Sequence, residues 1–202
     1  MQENVIKPNP ADYPMNLAAN GRVKIWTLGK DFGKPELVFQ GDNLIVKGGS
    51  DVLASALGGK VNSSITHFYI GYSNDPSFNV NSEPAIAVTD TITSFPTSGN
   101  YGVIRIPLAF PASYLAESGY TGNVPYFTTF LVTGGQWTRT GAVLQTGSKI
   151  FSLGLINATN SSSSSGDILF SKIYLNPVVA YDTTHGAAIS WGVTFRSLPA
   201  AS

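Results

Sequence analysis

The chain has 202 residues, 43% of them hydrophobic and 11% aromatic, enough to bury a core in one large domain without a disulfide staple. Twelve basic residues balance twelve acidic ones, so no long-range field steers the protein to a polyanion, and nucleic-acid binding is disfavoured. There is no cysteine, which excludes disulfides, thiol catalysis and thiolate metal sites, and no run approaches the ~20 apolar residues of a membrane-spanning helix.

The first twenty residues carry Pro8, Pro10 and Pro14 among Asn and Asp with no hydrophobic period. Each proline removes a backbone donor and biases its predecessor to extended conformations, so residues 1–20 are expected to form an arm rather than a helix or central strand. They also lack the basic start and apolar run of a secretory signal. Val5, Ile6, Tyr13, Met15 and Leu17 are its candidate anchors on a neighbouring subunit, ordering on assembly. The bland reading is a frayed terminus.

From Gly21 the pattern is that of strands. Val23, Ile25 and Thr27 alternate with Arg22, Lys24 and Trp26, and short strands are expected at "ELVF" and "NLIVK". Between Ser50 and Leu57 the spacing of Val52, Leu53, Ala56 and Leu57 predicts one short helix, capped by Ser50 or Gly49 and closed by Gly58. "ITHFYIGY" is the next strand, ended by an Asn74-Asp75-Pro76 turn. Strands then recur at "AIAVTDTITSF", "YGVIRIPLAF", "PYFTTFLV", "QWTRTGAVL" and "KIFSLGLIN", with Pro107 at an edge or bulge position. Residues 157–167 read as a solvent loop around a serine run. After "ILFSKIYLNPVVAY", a hairpin-like "DTTHGA" turn leads into residues 187–195, where Ala187, Ile189, Trp191, Val193 and Phe195 occupy one face in strict alternation. Many strands with Gly, Pro and Asn punctuation and almost no helix predict an all-β fold. The expected form is an antiparallel β-sandwich or jelly-roll-like domain over 21–202 with one short helix.

A search for chemistry finds no constellation. Of the two histidines, His67 stands beside Ile65 and Tyr69 on a strand face and reads as structural, and His185 belongs to turn chemistry. No Gly-X-Ser-X-Gly elbow accompanies the serines. The acids Glu36, Asp42, Asp51, Asp75, Glu83, Asp90, Glu117, Asp167 and Asp182 are scattered, and no spacing forces two together, although separate strands can still converge. The "SNDPSFNVNSE" stretch has oxygen ligands without the calcium-loop spacing, and Gly58-Gly59-Lys60 lacks the nucleotide-loop pattern. Asn-X-Ser/Thr matches at Asn62, Asn157 and Asn160 matter only in a eukaryotic secretory pathway. No catalytic residue, cofactor or metal is therefore expected. Trp191 fits a core; Trp26 and Trp137 stand on the polar phases of their strands and are the preferred contacts for a protein partner or a glycan.

The pairing of "NLIVKGGSDVLASAL" and "ITHFYIGYSNDP" with the late Lys-containing strand and the apolar-Trp-apolar-Phe strand after it resembles small structural proteins of tailed bacteriophages. The resemblance covers roughly residues 43–76 and 167–195 and implies a virion part assembled in the host cytoplasm. Charged residues make up only 12% of the chain, about half the usual ~25%. A surface built from Gly, Ser, Thr and Asn is tolerated where neighbouring copies cover it. The expectation is a non-enzymatic capsid decoration or cement subunit. It would bind the major capsid protein or other virion proteins and its own copies as a homo-oligomer, with no nucleic acid and no membrane. The alternative is a tail, collar or fibre protein with carbohydrate binding.

Overall fold

A computed structural model of the chain describes residues 17–28, 35–60, 64–108, 113–116, 123–131, 138–158, 165–182 and 186–197. Among them the architecture is all-β and antiparallel, with a single α-helix, as the strand patterns predict. The strands are β1 (Leu17–Leu28), β2 (Glu36–Ile45), β3 (His67–Ser73), β4 (Tyr101–Pro107), β5 (Ser113–Ala116), β6 (Asn123–Leu131), β7 (Thr138–Gly141), β8 (Lys149–Asn157), β9 (Ile168–Ala180) and β10 (Gly186–Ser197). They form one sheet in the order β5-β6-β10-β1-β2-β9-β8-β3-β4-β7.

The sheet curls so that its two halves face each other. The β10 half (β5, β6, β10, β1, β2) and the β8 half (β9, β8, β3, β4, β7) are joined where the end of β2 pairs with β9, Leu44 with Lys172 and Ile45 with Ser171. One core fills the space between them. Val23, Ile25, Ile189, Trp191 and Val193 meet Phe68, Ile70, Ile104, Leu153, Leu155 and Ile173, and the Trp191 and Phe68 rings lie 6.1 Å apart. The curl also brings β6 to β4, where the Thr129 hydroxyl donates to the Pro107 carbonyl at 3.0 Å. Trp191 is fully buried, and its indole N–H donates to Asn43 Oδ1 at 3.1 Å, which gives the one polar atom of that ring a partner inside the core.

Several boundaries differ from expectation for local reasons. Residues 17–20, read as the end of the arm, belong to β1, because Leu17 through Asn20 pair with Ser197 through Thr194. Residues 1–16 lie outside the described part. "ELVF" and "NLIVK" are one strand carrying a bulge opposite Ile25 and Trp26. The helix α1 (Lys47–Leu57) starts before Ser50, capped by the extended Val46 rather than by Ser50 or Gly49. Gly48 and Gly49 sit in its first turn because the chain passes directly over β9: a side chain on Gly48 would come within 2.5 Å of the Leu169 carbonyl. Gly58 closes the helix as predicted, bonding back to Ala54. The unforeseen β5 pairs with β6 at an end of the sheet. The 182–186 connection is not a hairpin, since β9 and β10 lie in different halves with β1 and β2 between them.

"AIAVTDTITSF" forms no strand. Residues 74–100, linking the paired strands β3 and β4, make a long excursion built from turns and two 3-10 turns at Val80–Ser82 and Ile92–Ser94. Thr91 and Ser94 close a reciprocal capping box, so hydroxyls placed as if for an exposed strand face satisfy the backbone of a turn. The excursion lies as a strap over the outer face of the β8 half.

Candidate functional site

The strap turns the outer face of the β8 half into a second interior. Alternation along β3, β4, β8 and β9 sends Tyr69, Gly71, Val103, Arg105, Gly154, Lys172 and Tyr174 outward, and the strap side chain Phe95 is 3% exposed on top of them. Phe95 fits because Gly71 and Gly154 leave a notch: a side-chain carbon on either would stand 3.1 or 3.0 Å from its ring. Its edge meets Tyr69 at 5.4 Å between centroids. A neighbouring group of rings, Phe78, Tyr101, Phe151 and Tyr174, anchors the other end of the strap.

Two buried ion pairs flank Phe95. Arg105 binds Asp167 through Nε at 2.8 Å and Nη2 at 3.1 Å, with side chains 2% and 0% exposed. This bidentate fork fixes the chain entering β9, so Asp167 does not belong to a solvent loop as its serine-rich neighbours suggested. The other end of that predicted loop is also held: Asn157 is 3% exposed and its amide donates to the Ser64 carbonyl, which withdraws it as a modification acceptor. Asn62 and Asn160 lie outside the described residues. On the far side of Phe95, Lys172 Nζ donates to Asp90 Oδ2 and to the Ser94 carbonyl, each at 3.1 Å. The same ammonium stands 4.9 Å from the Phe95 ring centre and 5.0 Å from that of Tyr174. Lys172 therefore rivets the strap to the sheet.

Beside this rivet opens a cleft of about 390 Å³. Lys172 and Tyr174 form its floor, Glu83, Asp90, Thr93 and Ser94 supply polar rims, and Pro84, Ala85 and Pro96 supply apolar walls. Glu83 Oε1 accepts from the Tyr101 hydroxyl at 2.9 Å. The Tyr174 hydroxyl makes no hydrogen bond among the described residues, and its pKa is pushed up to about 12 by burial first and then by the carboxylates of Glu83 and Asp90. It remains a proton donor at any physiological pH. Two acids that appeared scattered in sequence thus converge on one tyrosine. A lone charge within an apolar run was the available signal for both buried pairs: Arg105 in "VIRIP" and Lys172 in "LFSKIYL".

His67 lies at the other end of the outer face. Its Nδ1 shares a hydrogen bond with Thr66 Oγ1 at 2.9 Å, and its pKa falls to about 4 through burial and then the nearby Arg105 charge. It is held neutral, in keeping with a structural role. The "SNDPSFNVNSE" stretch is ordered by its own side chains: Asp75 accepts from the backbone and hydroxyl of Ser77, and Asn79 caps the first 3-10 turn. No cluster of three metal-ligating side chains occurs among the described residues.

Of the candidate contacts, only Leu17 and Trp26 belong to the described residues. Val5, Ile6, Tyr13, Met15 and Trp137, with His185, lie outside the described residues, and Leu17 occupies the first position of β1. Trp26 is half-buried on the outer face of the β10 half, in register with Leu37 of β2 and Ala188 of β10. Leu37 is 48% exposed, and Gln40, Arg22 and Asp42 farther along the same two strands are exposed too. The structure does not bring Trp26 to the cleft. No protein-family model matches the chain, and comparison with curated proteins and with solved structures finds no match.

Proposed function

We propose that this chain is a non-enzymatic structural subunit of a bacteriophage virion, a capsid decoration or cement protein that binds the major capsid protein and its own neighbouring copies. The observation that carries the reading is the asymmetry of the sheet. Strands β3, β4 and β8 are buried on both faces along nearly their whole length, whereas β1 and β2 present a near-neutral outer face that carries Trp26 and Leu37 together with Arg22, Lys24 and Asp42. An aromatic anchor in a polar field is the composition of a protein-binding patch. The interior cations support a mechanical role, since Arg105 and Lys172 are committed to Asp167 and Asp90 and hold elements in place.

Repetition on a symmetric shell multiplies weak contacts, so each copy needs only a modest interface. The test is sedimentation of the purified full chain alone and with particles, followed by imaging of labelled protein on the particle. Self-association or retention on the shell is expected, with both weakened by Trp26→Ser. A strictly monomeric protein that no particle retains overturns the proposal.

A further inference from the structure

We infer that the cleft between residues 83–96 and β9 is a binding site for a neutral, hydroxyl-rich ligand, a short oligosaccharide. Its electrostatics select against anions, and the cation that lines it is already paired. Anions meet Glu83 and Asp90 at the rim, while the Lys172 ammonium on the floor is held by Asp90 at 3.1 Å and is not free to bind a phosphate or carboxylate. What the surface offers a ligand is hydrogen bonding of a particular kind. Asp90 and Glu83 each present carboxylate lone pairs beyond those used by Lys172 and Tyr101, and such acceptors suit sugar hydroxyl donors. The Tyr174 hydroxyl, without a hydrogen-bond partner among the described residues, supplies a donor, and Thr93 on the exposed rim adds another hydroxyl. Pro84, Ala85 and Pro96 give C–H surface for the apolar face of a sugar ring.

The site is preformed rather than loose. Its floor is a strand, and its rim is fixed by the Lys172 bonds to Asp90 and Ser94, by Tyr101 on Glu83, and by the amide of Asn176 on Asn81 at 3.0 Å. At about 390 Å³ it lies in the ~300–1,000 Å³ range of small-ligand pockets and admits a short oligosaccharide. With Asp90 engaged by Lys172, the arrangement holds a sugar and does not cleave it. This inference is independent of the virion reading, and it places glycan recognition away from Trp26.

The experiment is a glycan array probed with the full chain, carrying neutral, sialylated and amino-bearing oligosaccharides, followed by calorimetric titration of the best-retained neutral one. Retention of neutral glycans is expected, with Tyr174→Phe and Glu83→Gln each weakening binding at least about tenfold and Trp26→Ala leaving it unchanged. Ala85→Trp, at an exposed wall position with no internal bond to lose, fills the cleft and is expected to abolish binding in a protein that melts like the parent. Failure to retain any neutral glycan, binding that survives Ala85→Trp, binding lost only on Trp26→Ala, or cleavage of the bound sugar would each overturn the inference.

Discussion

Arg105 and Asp167 illustrate how a single buried charge organises its surroundings. Each is nearly inaccessible, so each depends on the other to offset its lost hydration. Replacing Asp167 with Asn leaves the guanidinium buried without its counter-charge, and a loss of about 3–5 kcal/mol is expected in urea denaturation. A paired Arg105→Met, Asp167→Leu change is expected to recover part of that loss. His67 makes the opposite demand, because its fold favours the uncharged ring. Its unfolded form takes up a proton near 6.5 and its folded form only near 4, so the unfolded chain binds more protons between those values. Stability is therefore full above that window and declines as pH falls through it, by at most about 1.4 kcal/mol per pH unit for one proton. Comparing denaturation midpoints at about pH 5 and pH 7 in the parent and in His67→Gln tests this: the variant is expected to lose the His67 share of the slope.

The strap is the element on which the second interior depends, and Phe95 is its plug. Phe95→Ala is expected to cost about 3 kcal/mol and to expose residues 83–96 to limited proteolysis before the sheet itself unfolds. The strap also shows where the sequence stops being readable. In residues 187–195 alternation is enforced by a core on one side, so Ile189, Trp191 and Val193 announce their face directly. In residues 85–95 a comparable alternation of apolar and hydroxyl residues arises from turn chemistry, with Thr91 and Ser94 serving the backbone and Phe95 serving a glycine notch on another strand. Nothing local separates the two cases. The cleft was hidden for the same reason. Glu83 and Asp90 are far from Tyr174 along the chain, and only the β3–β4 excursion folding back on β9 brings them together. The helix was legible in its apolar spacing and its closing glycine, but its start was set by contact with β9, which no pattern within residues 47–57 encodes.

At the scale of the whole molecule, the two halves differ in what they carry. One carries the strap, the helix and the cleft; the other offers Trp26 and Leu37 on an exposed sheet face. If that face binds neighbouring copies, Trp26→Ser combined with Leu37→Ser is expected to lower self-association at least about tenfold in sedimentation while leaving glycan retention intact. Backbone continuity between the halves is slight. Only Leu44 and Ile45 of β2 are laddered to β9, with the Val46 N–H reaching the Phe170 carbonyl at 3.2 Å. Force that opens the sheet at this seam is expected to load these few backbone bonds in succession, while force along the strands is shared by the much longer β1–β10 and β8–β9 ladders. The seam at residues 44–46 is thus the short ladder of the fold, and the direction of an applied pull is expected to decide whether the halves part like a clasp or hold like a strut.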